Sequence, residues 1–140
     1  MASVFTRIID GELPGRFVWS DDVTVAFLSI NPITTGHTLV VPRVEVDHWL
    51  DLDPAVWTRV ADVARIVGTG IQRAFSPSRV GQMIAGFEVP HVHVHVLPIA
   101  SEGDLDFAKA AREPDPATLD DAHTRIRQAL RDLGHAEHVE

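Results

Sequence analysis

The sequence predicts an α+β fold, an antiparallel five-stranded sheet with two helices. Three observations carry this prediction. Five extended runs are separated by Gly, Pro, Asn and Asp turns, two stretches show helical periodicity, and most strands follow one another without an intervening helix.

Phe17-Val18-Trp19 and Val23 to Leu28 flank Ser20-Asp21-Asp22 and read as a hairpin. Asn31-Pro32 and Gly36 mark a turn before a third strand, His37 to Val41, which Pro42 stops. Asp53-Pro54 is a helix start, with an N-cap side chain followed by proline in the first helical position. Val56, Val60, Val63, Val67 and Ile71 then recur at helical spacing over about 20 residues, although Gly68 and Gly70 each weaken the last turns by roughly 1 kcal/mol. Val80 to Ala85 and His91 to Ile99, separated by Gly86 to Pro90, form a second hairpin-like pair. After an acidic, aperiodic stretch from Ser101 to Pro116, Leu119, Ala122, Ile126, Ala129 and Leu133 predict a C-terminal helix ending at Gly134.

At 140 residues and 45% hydrophobic content, the expectation is a single domain over 1–140, its core spanning about 3–100, with the acidic loop and C-terminal helix over 101–140. There is no cysteine, which excludes disulfides, thiolate metal sites and a thiol nucleophile. The N-terminus lacks the apolar region of a signal peptide and no run is long enough to span a membrane, so a cytoplasmic location and no membrane partner are expected. A net charge of -8 with scattered basic residues argues against nucleic acid as a partner. It does not exclude a small phosphorylated ligand held by imidazoles and backbone N–H groups.

His91-Val92-His93-Val94-His95 is the chemically informative run. In a strand its histidines share one face, ~6.6 Å apart, and its valines face the core. Imidazole titrates near neutrality and can serve as nucleophile or hydrogen-bond donor, so the array suits phosphoryl transfer through a covalent phosphoramidate that water then hydrolyses. A histidine tract can also bind metal or be a purification tag, but this one is internal and alternates strictly with valine.

Residues 5–98 resemble the histidine-triad (HIT) family. The resemblance rests on His91-Val-His93-Val-His95-Val96-Leu97, on Phe5 to Pro14, Asp21-Asp22, Ala26-Phe27-Leu28 and Asn31-Pro32, and on Gly36-His37-Thr38-Leu39-Val40-Val41-Pro42. It implies a homodimeric nucleotide hydrolase or nucleotidyl transferase acting at the α-phosphate of a purine nucleotide conjugate, such as a nucleoside phosphoramidate or dinucleoside polyphosphate, with no metal or other cofactor. It maps the nucleophile to His93, the flanking triad members to His91 and His95, and a fourth histidine to His37. Phe5, Ile8, Phe27 and Leu39 match the apolar positions that sandwich the base.

Four departures bear on the substrate. Ser29 stands where many relatives hold the ribose with aspartate, and a hydroxyl replaces only part of that contact. Gly86-Phe87-Glu88 replaces Gly-Gln-Ser/Thr, and a carboxylate at Glu88 disfavours an anionic leaving group while suiting a cationic amine. The usual asparagine upstream of the triad is missing, with Gln82 a candidate substitute, and Ser3 and Thr6 stand where some relatives carry a Cys-x-x-Cys zinc pair. Two competing readings are a metal-dependent hydrolase built on the histidine cluster and a nucleotide-binding regulator with little catalysis. His48, His123, His135 and His138 are expected to be surface residues.

Overall fold

The structure, a computed structural model, describes residues 1–139. Five antiparallel strands form one sheet: β1 (Phe17–Ser20), β2 (Thr24–Leu28), β3 (Thr38–Pro42), β4 (Arg79–Met83) and β5 (Val94–Ile99). Their spatial order is β1-β2-β3-β5-β4. Helix α1 spans Val4–Ile9, α2 spans Pro54–Phe75 and α3 spans Pro116–Asp132. The sheet and the two long helices match expectation. The third helix, α1, does not: six residues are too few to show periodicity, and α1 is set instead by its Ser3 N-cap, whose side chain accepts from Thr6 N–H.

Strand alternation divides the apolar residues between the two sheet faces. Ala26, Leu28, Val40, Val94 and Val96 point to the face covered by α2 and α3, where they pack with Val60, Val63, Val67, Ile71, Ile126 and Leu130. Val25, Phe27, Leu39 and Val41 point to the other face, where they pack with Phe5 of α1. Both faces are covered, so β2 and β3 are buried at every position. In β1 the neighbours Val18 and Trp19 both join the α2/α3 core, which a register shift between Phe17 and Trp19 permits.

Helix α2 begins as the sequence predicts, with Asp53 accepting from Ala55 N–H and Pro54 in the first turn. It runs through both glycines. A Cβ on Gly70 would stand 2.9 Å from a Leu130 methyl carbon, so the glycine lets α3 approach closely and that packing offsets its low helix propensity. The C-terminal region is thus part of the main core and not an addition to a core ending near residue 100, with Ile126, Leu130 and Val139 fully buried. Gly36, at φ +102°, turns the chain into β3 against the Phe75 ring.

Two further expectations are corrected. The strand expected over His91–Ile99 begins only at Val94, because His91–His93 spend their hydrogen bonds elsewhere: His91 N–H on Val89 O, Val92 N–H on Val46 O, and the His93 ring on the His91 carbonyl. Of the four histidines expected at the surface, only His48 is exposed. His123 bonds the Phe17 carbonyl, while His138 stacks on Trp19 with centroids 4.5 Å apart and His135 meets the same ring edge-on. Among the described residues no helix is long and apolar enough to cross a membrane.

Candidate active site

The β2–β3–β5 register builds the site. Leu39 is the cross-strand partner of both Phe27 and His95, so the three side chains share one face of the sheet. That face opens into a cavity of about 580 Å³ lined by Phe5, Ile8, Phe27, Ser29, Leu39 and Glu88 together with His37, His93 and His95. Nine of the ten residues singled out from the sequence thus surround one space. The tenth, His91, is fully buried behind His93 and does not reach the cavity.

Hydrogen bonds to the backbone fix which nitrogen of each ring carries its proton. His91 Nε2 lies 2.7 Å from the Pro42 carbonyl and must donate to it, so its Nδ1 accepts from the Ser3 hydroxyl, also at 2.7 Å. His93 Nδ1 lies 2.6 Å from the His91 carbonyl and donates, which leaves the Nε2 lone pair free. His37 Nδ1 accepts from Ile33 N–H at 3.0 Å, so its proton is on Nε2 and is donated to His95 Nδ1 at 2.9 Å. His95 therefore carries its proton on Nε2. Neither His93 Nε2 nor His95 Nε2 has a hydrogen-bond partner among the described residues, and neither is sealed from solvent. The site presents one lone pair and one N–H donor, on rings whose centroids are 4.9 Å apart.

Burial keeps these rings neutral. It lowers His37 to about 4, with repulsion from His93 adding to it, and lowers His95 to about 3, with His37 and His93 both contributing. His91 and His93 are held below the ordinary histidine value chiefly by burial, partly countered by the carbonyl each bonds.

The base-side residues also behave as one group. Phe5 meets Phe27 edge-on at 5.5 Å and the His93 ring at 4.9 Å, with Ile8 beside them. Ser29 directs its N–H to the His37 carbonyl, and its hydroxyl accepts from Asn31 N–H. Glu88 lies at the mouth, near enough to His93 to favour that ring's cationic form. Phe87 is 96% exposed and Gln82 is exposed on β4; neither lines the cavity.

One wall is absent from the sequence reading. Phe107, Ala108, Ala110, Ala111 and Arg112, within the stretch read as an aperiodic acidic loop, close the cavity opposite α1. Phe107 meets His95 edge-on at 4.9 Å. Ala111 N–H bonds the Pro32 carbonyl, and Asn31 Nδ2 bonds the Ala111 and Arg112 carbonyls, which clamps this wall to the loop that orients His37. Only the aromatic at 107, after a run of small and acidic residues, hints at it in the sequence.

The HIT domain model matches residues 10–102, a span holding all four histidines. The chain belongs to the HIT family. A HIT-like protein of Borreliella burgdorferi is 39% identical over 102 residues, covering 68% of this chain and 73% of that protein. The bis(5'-nucleosyl)-tetraphosphatase of Schizosaccharomyces pombe is 36% identical over 96 residues, 62% of this chain and 53% of its own length. Among solved structures, a zinc-bound histidine triad family protein of Mycobacterium smegmatis superposes with a TM-score of 0.82 at 27% identity, covering 97% of this chain and 98% of that one. HIT membership and the antiparallel five-stranded sheet agree with the resemblance stated from the sequence.

Proposed function

We propose that this HIT protein is a nucleotide hydrolase or nucleotidyl transferase that attacks the α-phosphate of a purine nucleotide conjugate with His93 Nε2. The observation that carries this reading is the His93 ring itself, with Nδ1–H committed to the His91 carbonyl at 2.6 Å and Nε2 left as an open lone pair in the cavity. A neutral, oriented imidazole is an activated nucleophile for phosphorus. The S. pombe relative's action on a dinucleoside polyphosphate is consistent with this chemistry.

In the first half, the Nε2–phosphorus bond forms as the bond to the leaving group breaks, and His95 Nε2–H donates a hydrogen bond to the leaving atom. In the second half, water attacks phosphorus and the Nε2–phosphorus bond breaks. Over the cycle the hydroxyl of one water ends on phosphorus and its proton on the leaving group; another acceptor in place of water makes the reaction a transfer. The base lies among Phe5, Ile8, Phe27 and Leu39, and Ser29 supplies a single hydroxyl to the ribose. Glu88 at the mouth favours a cationic, amine-type leaving group. His91 supports His93 from behind and does not touch substrate. A homodimer is part of the proposal, with β4 at one end of the sheet order available to a second copy.

The test is incubation with adenosine 5'-phosphoramidate or a lysine-linked analogue, rapid quenching and mass spectrometry. The expected result is a nucleotidyl adduct on His93, with adduct and turnover both lost in His93→Ala. Nucleotide binding without an adduct or turnover would instead support a regulator.

A further inference from the structure

His91 is buried, and the lone pair on its Nδ1 requires a donor. Ser3 supplies it at 2.7 Å. Ser3 is in turn held by the segment that follows β3. Glu45 Oε1 accepts from Ser3 N–H at 2.7 Å and from the Thr6 hydroxyl at 2.7 Å, and Ser3 Oγ accepts from Thr6 N–H at 3.0 Å. The same segment offers the Pro42 carbonyl to His91 Nε2–H and the Val46 carbonyl to Val92 N–H. Residues 42–46 therefore bind both the first turn of α1 and the stretch that carries His91.

We propose that Glu45 is a positioning residue for His93, acting through Ser3 and His91. Its carboxylate fixes Ser3, the Ser3 hydroxyl donates to His91 Nδ1 and holds the plane of a ring whose tautomer the Pro42 carbonyl sets, and the His91 carbonyl holds His93 Nδ1–H. Phe5 lies between Ser3 and Thr6 in the chain and packs edge-on against His93, so one knot ties the base-side wall to the orientation of the nucleophile. The Ser3 N–H and the Thr6 hydroxyl both donate to Glu45, and these two bonds hold its carboxyl below the usual carboxylate range, so it is an ionised acceptor at neutral pH.

This inference rests on the His93 reading for its kinetic readout only. The test uses the full chain with ¹⁵N-labelled histidine, and compares ring-nitrogen shifts and turnover of adenosine 5'-phosphoramidate in the parent, Glu45→Ala, Glu45→Gln, Ser3→Ala and the Ser3→Ala/Glu45→Ala double variant. The parent shows His91 protonated on Nε2 and His93 on Nδ1. Glu45→Ala is expected to leave the His91 proton on Nε2, to shift its Nδ1 resonance toward that of a lone pair without a donor, and to lower kcat about ten-fold. Glu45→Gln keeps an acceptor oxygen and restores both to within about two- to three-fold. The double variant is expected to be no worse than Ser3→Ala alone, as for residues acting in series.

A parent-like His91 Nδ1 shift and kcat in Glu45→Ala, a Glu45→Gln as impaired as the alanine, or additive losses in the double variant would each overturn the proposal. Should Glu45→Ala not fold, the loss expected in Ser3→Ala and the retention expected in Glu45→Gln make the same comparison. If His93→Ala kept full activity, the functional reading would fall, while the His91 Nδ1 shift would still decide the role of Glu45.

Discussion

His37 Nε2 stands 2.9 Å from His95 Nδ1, and because Ile33 N–H already occupies His37 Nδ1, the proton between the two rings belongs to His37. His95 is thereby obliged to present N–H, and not a lone pair, to the cavity. His37→Ala removes that obligation. The expected outcome is a roughly ten-fold fall in kcat for poor leaving groups and a smaller one for good leaving groups, seen as a steeper dependence of kcat on leaving-group basicity.

The proposed nucleophile works only when neutral, and burial holds His93 below the ordinary value of 6.5. Activity should therefore persist as pH falls through 6.5 and decline only at lower pH, where His93 gains its proton. A kcat/KM profile between pH 4 and 8 reports this, and an acid limb centred at or above 6.5 would contradict the geometry.

Stability should follow pH with the same sign. The fold holds His37 neutral down to about 4 and His95 down to about 3, while the unfolded chain protonates both near 6.5. Between about 6.5 and 4 the unfolded state binds more protons, so stability present above 6.5 is lost as pH drops, at about 1.4 kcal/mol per unit for each group while only its unfolded form is protonated. The expected result is a melting temperature that falls across this window, and less steeply in His95→Asn.

Glu88 lines the cavity near enough to His93 to favour that ring's cationic form. Glu88→Ser should raise turnover of nucleotides with anionic leaving groups and lower it for lysine-like amines, measured as paired kcat/KM values. Improvement of both, or of neither, would separate Glu88 from leaving-group choice.

Metal dependence can be tested directly, given the zinc-bound M. smegmatis neighbour. Among the described residues no three His, Asp or Glu side chains converge as a metal-binding group, and of the four imidazoles only His93 presents a free lone pair. Protein prepared without a His-tag and treated with chelator should keep its turnover. Activity that disappears and returns with added zinc would favour the metal-dependent reading.

Much of this was legible in the sequence because it is written locally. Asp53-Pro54 and the valine spacing set out α2, and alternation set Val94 and Val96 toward the core with His95 on the opposite face. What sequence could not supply is long-range. The late start of β5 depends on Val92 N–H bonding the Val46 carbonyl, 46 positions earlier, and the burial of His91 depends on Ser3, 88 positions earlier. The Phe107–Arg112 wall is held by Asn31 and Pro32, and nothing periodic in residues 101–116 marks it. Gly70 reads as a weak point until Leu130 is seen against it.

Two parts of the cavity lining, α1 with Phe5 and Ile8 and the stretch from Phe107 to Arg112, lie outside the 10–102 span of the HIT domain model, while the four histidines and Phe27, Ser29 and Leu39 lie inside it. The imidazole array is thus carried by the sheet and its loops, and part of the surface around it by the two ends of the chain. Substitutions at Phe5, Ile8 or Phe107 can therefore reshape what the cavity admits without touching a hydrogen bond that orients the four rings.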